Sequence, residues 1–213
     1  MPKAELNKLQ KDFLNEFFRR DKHFYLSGGA VLVGFYFGHR ETYDLDLFTL
    51  EDEIEGGFGV VKEAARSLGA EVEPVQTSPD FRRLLVTRGE ESIVVDLVRE
   101  YVFQISQEKK EINGIRVDSP DEIFANKLCA LLSRSEIRDL VDIYELEKAG
   151  FELEEALLAA EKKDSGLTPA QLAWVLSQIR FGDSTKLPGD MPSQDLKKYL
   201  DDLITRLQKL ALP

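Results

Sequence analysis

The sequence predicts an α+β protein: a mixed β-sheet with covering helices in the first 118 residues, then a unit built only of helices. Three observations carry this. Strand-like runs alternate with amphipathic helical segments only as far as Val117. A helix-start signal, Ser119-Pro120-Asp121-Glu122, then opens a stretch of helical periodicity. The most apolar strand-like run, Ser92 to Val98, has the β-branched content of a strand lying inside a sheet.

Each element has a local reason. Leu6, Leu9, Phe13, Leu14, Phe17 and Phe18 recur at helical spacing over residues 4–19, an amphipathic first helix. His23 to Leu26 is a short strand, broken by Gly28-Gly29, and Ala30 to Phe37 is expected to be a buried helix. Asp44 to Leu50 alternates Leu45, Leu47 and Thr49 against Asp46 and Phe48, the period-two pattern of a strand. Residues 58–68 are expected to be helical. Glu71 to Gln76, Phe81 to Thr87 and Ser92 to Val98 are strands, and Ile115 to Val117 adds a short one. At the change of character, Ser119 can cap, Pro120 fits the first helical position, and Glu122 completes a capping box. Helices are expected at 120–133, 136–148, 153–162, 168–180 and 194–210. Phe181 to Ser193, with two glycines and two prolines, is expected to be a loop.

The chain has 213 residues, enough for one large domain or two smaller ones that share a core, with the division at 1–118 and 119–213. Hydrophobic residues at 43% and charged residues at 31% suit a soluble globular protein. No apolar run approaches the roughly 20 residues needed to cross a bilayer. Met1-Pro2-Lys3-Ala4-Glu5-Leu6 lacks the apolar core of a signal peptide, so a cytoplasmic location is expected. The lone Cys129 cannot form an internal disulfide, and its neighbours Leu128, Ala130, Leu131 and Leu132 suggest a buried, inert thiol. The net charge of -11 argues against broad, non-specific nucleic-acid binding. It leaves room for a local basic patch at Arg82, Arg83 and Arg88, or at Lys109 and Lys110, although each of these alone is first read as a solvated surface charge.

Asp44 and Asp46 stand at i and i+2 on a predicted strand, so both carboxylates can meet one cation. Magnesium takes hard oxygen ligands, usually one or two carboxylates together with substrate phosphates. Asp96 is a lone acid in Ile93-Val94-Val95-Asp96-Leu97-Val98, costly there unless paired or metal-bound. Two such strands could assemble a two-metal centre for phosphoryl transfer. The plainer alternatives are a solvated Asp-x-Asp and an Asp96 bonded to backbone amides. Ser27-Gly28-Gly29 lies between strand and helix, where glycines permit close approach of a phosphate to the backbone, or form only a turn. Arg40, in Gly38-His39-Arg40-Glu41-Thr42, can clamp a phosphate with its planar fork. His39 is read as a surface or hydrogen-bonding group before a metal ligand. Lys127 sits amid Ile123, Phe124, Ala130 and Leu131, all within about 60° of it on a helical wheel. It either snorkels, points into a cleft, or joins an ion-pair network with Arg138, Asp139 and Asp142.

Taken in order, these blocks resemble the AbiEii/AbiGii-type toxin nucleotidyltransferases of the polymerase-beta-like superfamily. Leu26 to Leu32 and Gly38 to Phe48 look like the family's first motif, Asp96 like its third carboxylate, and Lys127 with Arg138-Asp139-Leu140-Val141-Asp142-Ile143-Tyr144 like its later lysine and aspartate motifs. Ala30 departs from a usual Thr, and Thr42 replaces a usual Ser while keeping the hydroxyl.

The resemblance implies an enzyme of the EC 2.7.7 type whose helical domain completes the active-site cleft of the nucleotidyltransferase domain. A nucleoside triphosphate would bind with Mg2+, two ions being expected, and its monophosphate would pass to an acceptor hydroxyl. Asp44 and Asp46 would hold metal, and Asp96 would complete the site and draw the acceptor proton. Ser27, Gly28, Gly29, Arg40, Thr42, Lys127 and Arg138 would bind the nucleotide, with Asp139 or Asp142 positioning Lys127 or touching the nucleotide. The acceptor implied is a tRNA end and the partner a cognate antitoxin, with no membrane association. Two alternatives stand beside this: transfer to a small molecule or protein, and a non-catalytic nucleotide-binding module.

Overall fold

The computed structural model describes residues 5–182 and 185–212. The N-terminal tetrapeptide, with the first residue of the expected 4–19 helix, and residues 183 and 184 of the expected 181–193 loop lie outside the described residues. The chain forms two compact units: residues 1–101 with 108–119, and residues 102–107 with 120–213.

In the first unit, α1 (Lys8–Arg20) begins at Asn7, whose side chain accepts from the Gln10 amide while Gln10 bonds back to the Asn7 N–H. Its apolar stripe, Leu9, Phe13, Leu14, Phe17 and Phe18, is fully or almost fully buried. Then come β1 (Phe24–Ser27) and the single turn α2 (Gly28–Val31). Where a buried helix is expected up to Phe37, the chain widens into a π-turn over Leu32–Tyr36, and burial ends at Val33. Leu6 packs against Gly34 at this wide turn, where no Cβ would fit.

The remaining elements are β2 (Asp44–Thr49), α3 (Ile54–Ser67), β3 (Glu71–Ser78), β4 (Phe81–Arg88), β5 (Glu91–Arg99), β6 (Lys110–Ile112) and β7 (Ile115–Val117). The seven strands form one mixed sheet in the order β3-β4-β5-β2-β1-β7-β6. β2 runs parallel to β5 and β1 parallel to β7, while β1–β2, β3–β4, β4–β5 and β6–β7 are antiparallel. The apolar β5 is thus internal. β3 is an exposed edge, and its register shifts between Pro74 and Gln76, which blunts it as a template for further pairing.

One sheet face is apolar: Phe24, Leu26, Leu45, Leu47, Leu84, Val86, Val95 and Leu97 are buried beneath α1 and α3. Phe17 meets Phe24 edge-on at 5.8 Å, and Gly57 of α3 leaves room for the Phe24 ring. The other face alternates with it, carrying Asp44, Asp46, Phe48, Arg83 and Asp96.

The second unit comprises α4 (Pro120–Arg134), α5 (Ile137–Lys148), α6 (Leu153–Lys163), α7 (Pro169–Leu176) and α8 (Ser193–Leu210). α4 is the hub, packing on α5, α6 and α7, and α8 closes over α5 and α7 with Leu196, Leu200, Leu203 and Leu207. α7 ends at Leu176, short of the expected 180. Residues 102–107 form a strap on this unit: Glu122 accepts from the Ile105 and Ser106 amides, and Lys163, ion-paired with Glu122, donates to the Phe103 carbonyl. Glu147 receives Arg206 through both guanidinium arms and also Tyr199, whose hydroxyl is pushed up by burial and by the Glu147 charge. Cys129 is half-buried rather than buried, with Sγ near the Ala160 carbonyl. Among the described residues, no helix is long and apolar enough to cross a membrane.

Phe17→Ala is expected to destabilise the first unit by about 3–5 kcal/mol, because it removes a fully buried ring from the layer that backs the sheet. Urea titration followed by circular dichroism reads this directly; a loss below about 1 kcal/mol would mean that the layer does not support the fold as described.

Candidate functional site

The mixed sheet aligns polar residues across four strands. Ser27 on β1 pairs with Asp46 on β2, Asp46 with Asp96 on β5, and Asp96 with Arg83 on β4. Directly paired residues point to the same side of a sheet, so these four form a row. Asp44 lies two residues before Asp46 on the same face. Asp44 and Asp46 are half-buried, and Asp96 is only 4% exposed.

The row begins at the glycine turn. Gly28 has φ +67°, in the left-handed region, and a Cβ there would stand 2.5 Å from Asp46 Oδ2. Glycine is therefore required twice over, by the backbone and by the carboxylate. At Gly29 a Cβ would strike the Arg40 guanidinium, which covers the turn. Arg40 is buried and donates to the Glu41 carbonyl. The Thr42 carbonyl accepts from the buried Gln10 side chain, tying the segment before Asp44 to α1. His39 packs edge-on against Phe37.

Beside the turn lies a relay not anticipated from the sequence. Ser27 Oγ donates to Asp118 Oδ2 at 2.6 Å, and Lys109 Nζ stands 2.7 Å from Asp118 Oδ1 and 4.4 Å over the Tyr25 ring. All three polar groups are buried. Lys109 is accordingly part of a buried pair, not of a surface patch with Lys110. The Asp118 amide also donates to the Leu26 carbonyl, continuing the β1–β7 pairing. A lone acid at the end of a strand-like run, just before a helix start, is the signal that could have found Asp118.

At the far end of the row, Arg83 grips Asp96 through both arms: Nε to Oδ1 at 2.9 Å and Nη2 to Oδ2 at 2.6 Å. The Asp96 hydrogen bond and the charges of Asp96, Asp44 and Asp46 push the Arg83 guanidinium pKa up, with burial opposing. Arg83 therefore lies within the field of all three acids. The remaining arginines of the expected patch are dispersed. Arg82 points to the covered face, over the Phe58 ring and paired with Glu55, and Arg88 joins Asp12 and Glu91.

Three carboxylates on one face, beside a cradle that a Cβ would fill, are a hard-oxygen donor set of the kind magnesium takes. Among the described residues, a trio whose ligand atoms all lie within 4.8 Å of one another is formed by His23, Glu51 and Glu53 at the other end of β1 and β2. It is exposed, and its His23 pKa is raised by the hydrogen bond to Glu51.

In the second unit, Lys127 is buried with its ammonium 2.6 Å from Asp139 Oδ1 and 2.7 Å from Asp142 Oδ2. Arg134, near the end of α4, also holds Asp139 through both arms. Arg138 pairs with Glu136. Of the expected network, Lys127, Asp139 and Asp142 meet, and Arg134 joins them at Asp139, brought near by the tight α4–α5 turn in which Ser135 adopts φ 51°.

Comparison with curated proteins finds no match. Among solved structures the chain is similar to JHP933 from Helicobacter pylori, at 20% identity and TM-score 0.57, over 95% of this chain and 91% of that one. It is similar to a putative nucleotidyltransferase from H. pylori, at 19% identity and TM-score 0.60, over 97% and 96%. MenT4, a nucleotidyltransferase toxin from Mycobacterium tuberculosis H37Rv, aligns at 16% identity and TM-score 0.63, over 95% and 82%. These likenesses show a shared fold. The family described as nucleotidyl transferase AbiEii toxin, type IV toxin–antitoxin system, matches residues 12–209, a span that holds the whole polar row and the lysine network. With nearly all of its length matched, this chain belongs to the AbiEii nucleotidyl transferase toxin family.

Proposed function

We propose that this protein is a magnesium-dependent enzyme that moves a nucleoside monophosphate from a nucleoside triphosphate to an acceptor hydroxyl at a tRNA end, countered in the cytoplasm by a cognate antitoxin. The observation that carries this reading is the register that sets Ser27, Asp46 and Asp96 side by side next to the Gly28 turn.

Asp44 and Asp46 would hold the magnesium, which when bound supplies positive charge to the phosphates. The Gly28–Gly29 turn lets a phosphate approach the backbone closely, and Arg40 over it offers planar donors. Ser27 and Thr42 extend the nucleotide contacts of the first unit; in the second unit Asp139 and Asp142 hold the Lys127 ammonium in place, and the family resemblance assigns Lys127 and Arg138 to the nucleotide. The acceptor oxygen bonds to the α-phosphorus, the bond to the β-phosphate bridge breaks, and pyrophosphate leaves. Asp96, beside Asp46, takes the acceptor proton through lone pairs that Arg83 does not use.

A second reading, transfer to a protein or small-molecule hydroxyl, draws on the charge. The chain carries -11, and Arg82, Arg83 and Arg88 are each paired with acids instead of forming a polyanion-binding patch. Acids at positions 44, 46 and 96 count against a non-catalytic module.

Asp44→Asn and Asp46→Asn are each expected to lower nucleotide incorporation at least about 100-fold while leaving the melting transition within a few degrees of the parent. Labelled nucleotides offered with magnesium to total RNA, lysate protein and small hydroxyl compounds measure this and show which fraction is labelled; normal incorporation by either variant would remove the metal assignment. Gly28→Ala should lose activity comparably, because its Cβ collides with Asp46 and its backbone is left-handed; full activity would mean that the turn plays no part in the site. Lys127→Ala should weaken triphosphate binding about tenfold in calorimetry and also cost about 3–5 kcal/mol of stability by removing the ammonium from between two buried carboxylates. Unaltered affinity alongside lost stability would make the network purely structural.

A further inference from the structure

We propose that Arg83 takes the place of a second cation in the carboxylate row, so that the centre works with one divalent ion, held by Asp44 and Asp46. This rests on the nucleotidyl-transfer reading above and departs from the two ions expected from the sequence.

Arg83 faces Asp96 across the β4–β5 ladder, and its fork engages both oxygens of that carboxylate, at 2.9 and 2.6 Å. A bidentate guanidinium uses the inner lone pairs of both oxygens, the ones a bridging metal ion would take. The pair is held firmly. Asp96 is buried, while the Arg83 side chain, 43% exposed, comes in from the open side with its guanidinium over the Phe81 ring. For Asp96 to ligate an ion as well, it would have to surrender Arg83 or accept a doubly charged ion beside a guanidinium.

The disposition of the acids agrees. Asp96 is in register with Asp46, whereas Asp44 faces Val94. Arg83 is thus a positioning residue for Asp96 and the determinant of how many ions the row accepts.

The test counts ions instead of turnover. The full chain is dialysed to equilibrium against Mn2+ and non-hydrolysable analogues of the four nucleoside triphosphates. Manganese bound per nucleotide bound is then measured by electron paramagnetic resonance. The wild type is expected to bind one ion, and Arg83→Met two, with Arg83→Gln as a second variant should the first fail to fold. Adding Asp96→Asn to either variant should return the count to one. Two ions on the wild type would overturn the proposal and leave the nucleotidyl-transfer reading intact. One ion on both wild type and a folded Arg83 variant would overturn the substitution of Arg83 for a cation. No bound nucleotide or manganese on the wild type would overturn the functional reading itself, and this proposal with it.

Discussion

The pairing of β1, β2, β5 and β4 in a single register underlies everything else in the first unit. Side chains alternate between sheet faces with a period of two, so a slip of one residue in any of these strands would carry its polar member to the opposite face. The apolar face guards against that slip. Leu26, Leu45, Leu47, Val95, Leu97 and Leu84 all lie beneath α1 and α3, and exposing them together would cost far more than a domain's net stability. The polar row therefore rests on the hydrophobic layer behind it. Ser27, Asp46, Asp96 and Arg83 meet because their neighbours in sequence must be buried.

Charge organises the site at a second level. Three acids on one face repel one another, and the fold answers with fixed cations. Arg83 is placed by the ladder, and Arg40 is laid over the glycine turn because no Cβ stands in its way. Buried ion pairs of this kind contribute little net stability, since desolvation offsets most of their attraction, but removing one partner is costly. Their effect is geometric: each cation aims the carboxylate it grips. The same logic recurs in the second unit, where Lys127 and Arg134 together neutralise Asp139 and Asp142, and Lys163 with Glu122 pins the 102–107 strap.

Local patterns in the sequence point to much of this. The alternation in Asp44 to Thr49 predicts both the strand and the shared face of its acids, and the lone Asp96 in an apolar run marks a place where charge must be met. The apolar wheel around Lys127 predicts a buried ammonium, and the acids of the next helix supply its partners. Arg82 and Arg83 are less legible. As neighbours in a strand they belong to opposite faces, and a patch drawn from their adjacency ignores that alternation. Asp118 and Lys109 escape for another reason: Asp118 reaches Ser27 across 91 residues, a separation that no local pattern encodes. The π-turn after α2 is likewise set by how Leu6 packs on Gly34, not by its own periodicity.

The sequence by itself determined which residues could carry chemistry and which face of each element they would occupy, because pleat and helical period are properties of the local chain. It also determined the family, through blocks kept in order along the chain. Only the tertiary structure decided which of these residues meet: that Asp46 stands opposite Asp96 and not a residue to either side, that Arg83 rather than Arg82 joins them, that Asp118 holds Ser27, and that Arg134 holds Asp139. Strand order and register are set by the shared burial of side chains distant in sequence. That cooperative energy belongs to the assembled sheet and the helices packed on it, and no single segment contains it.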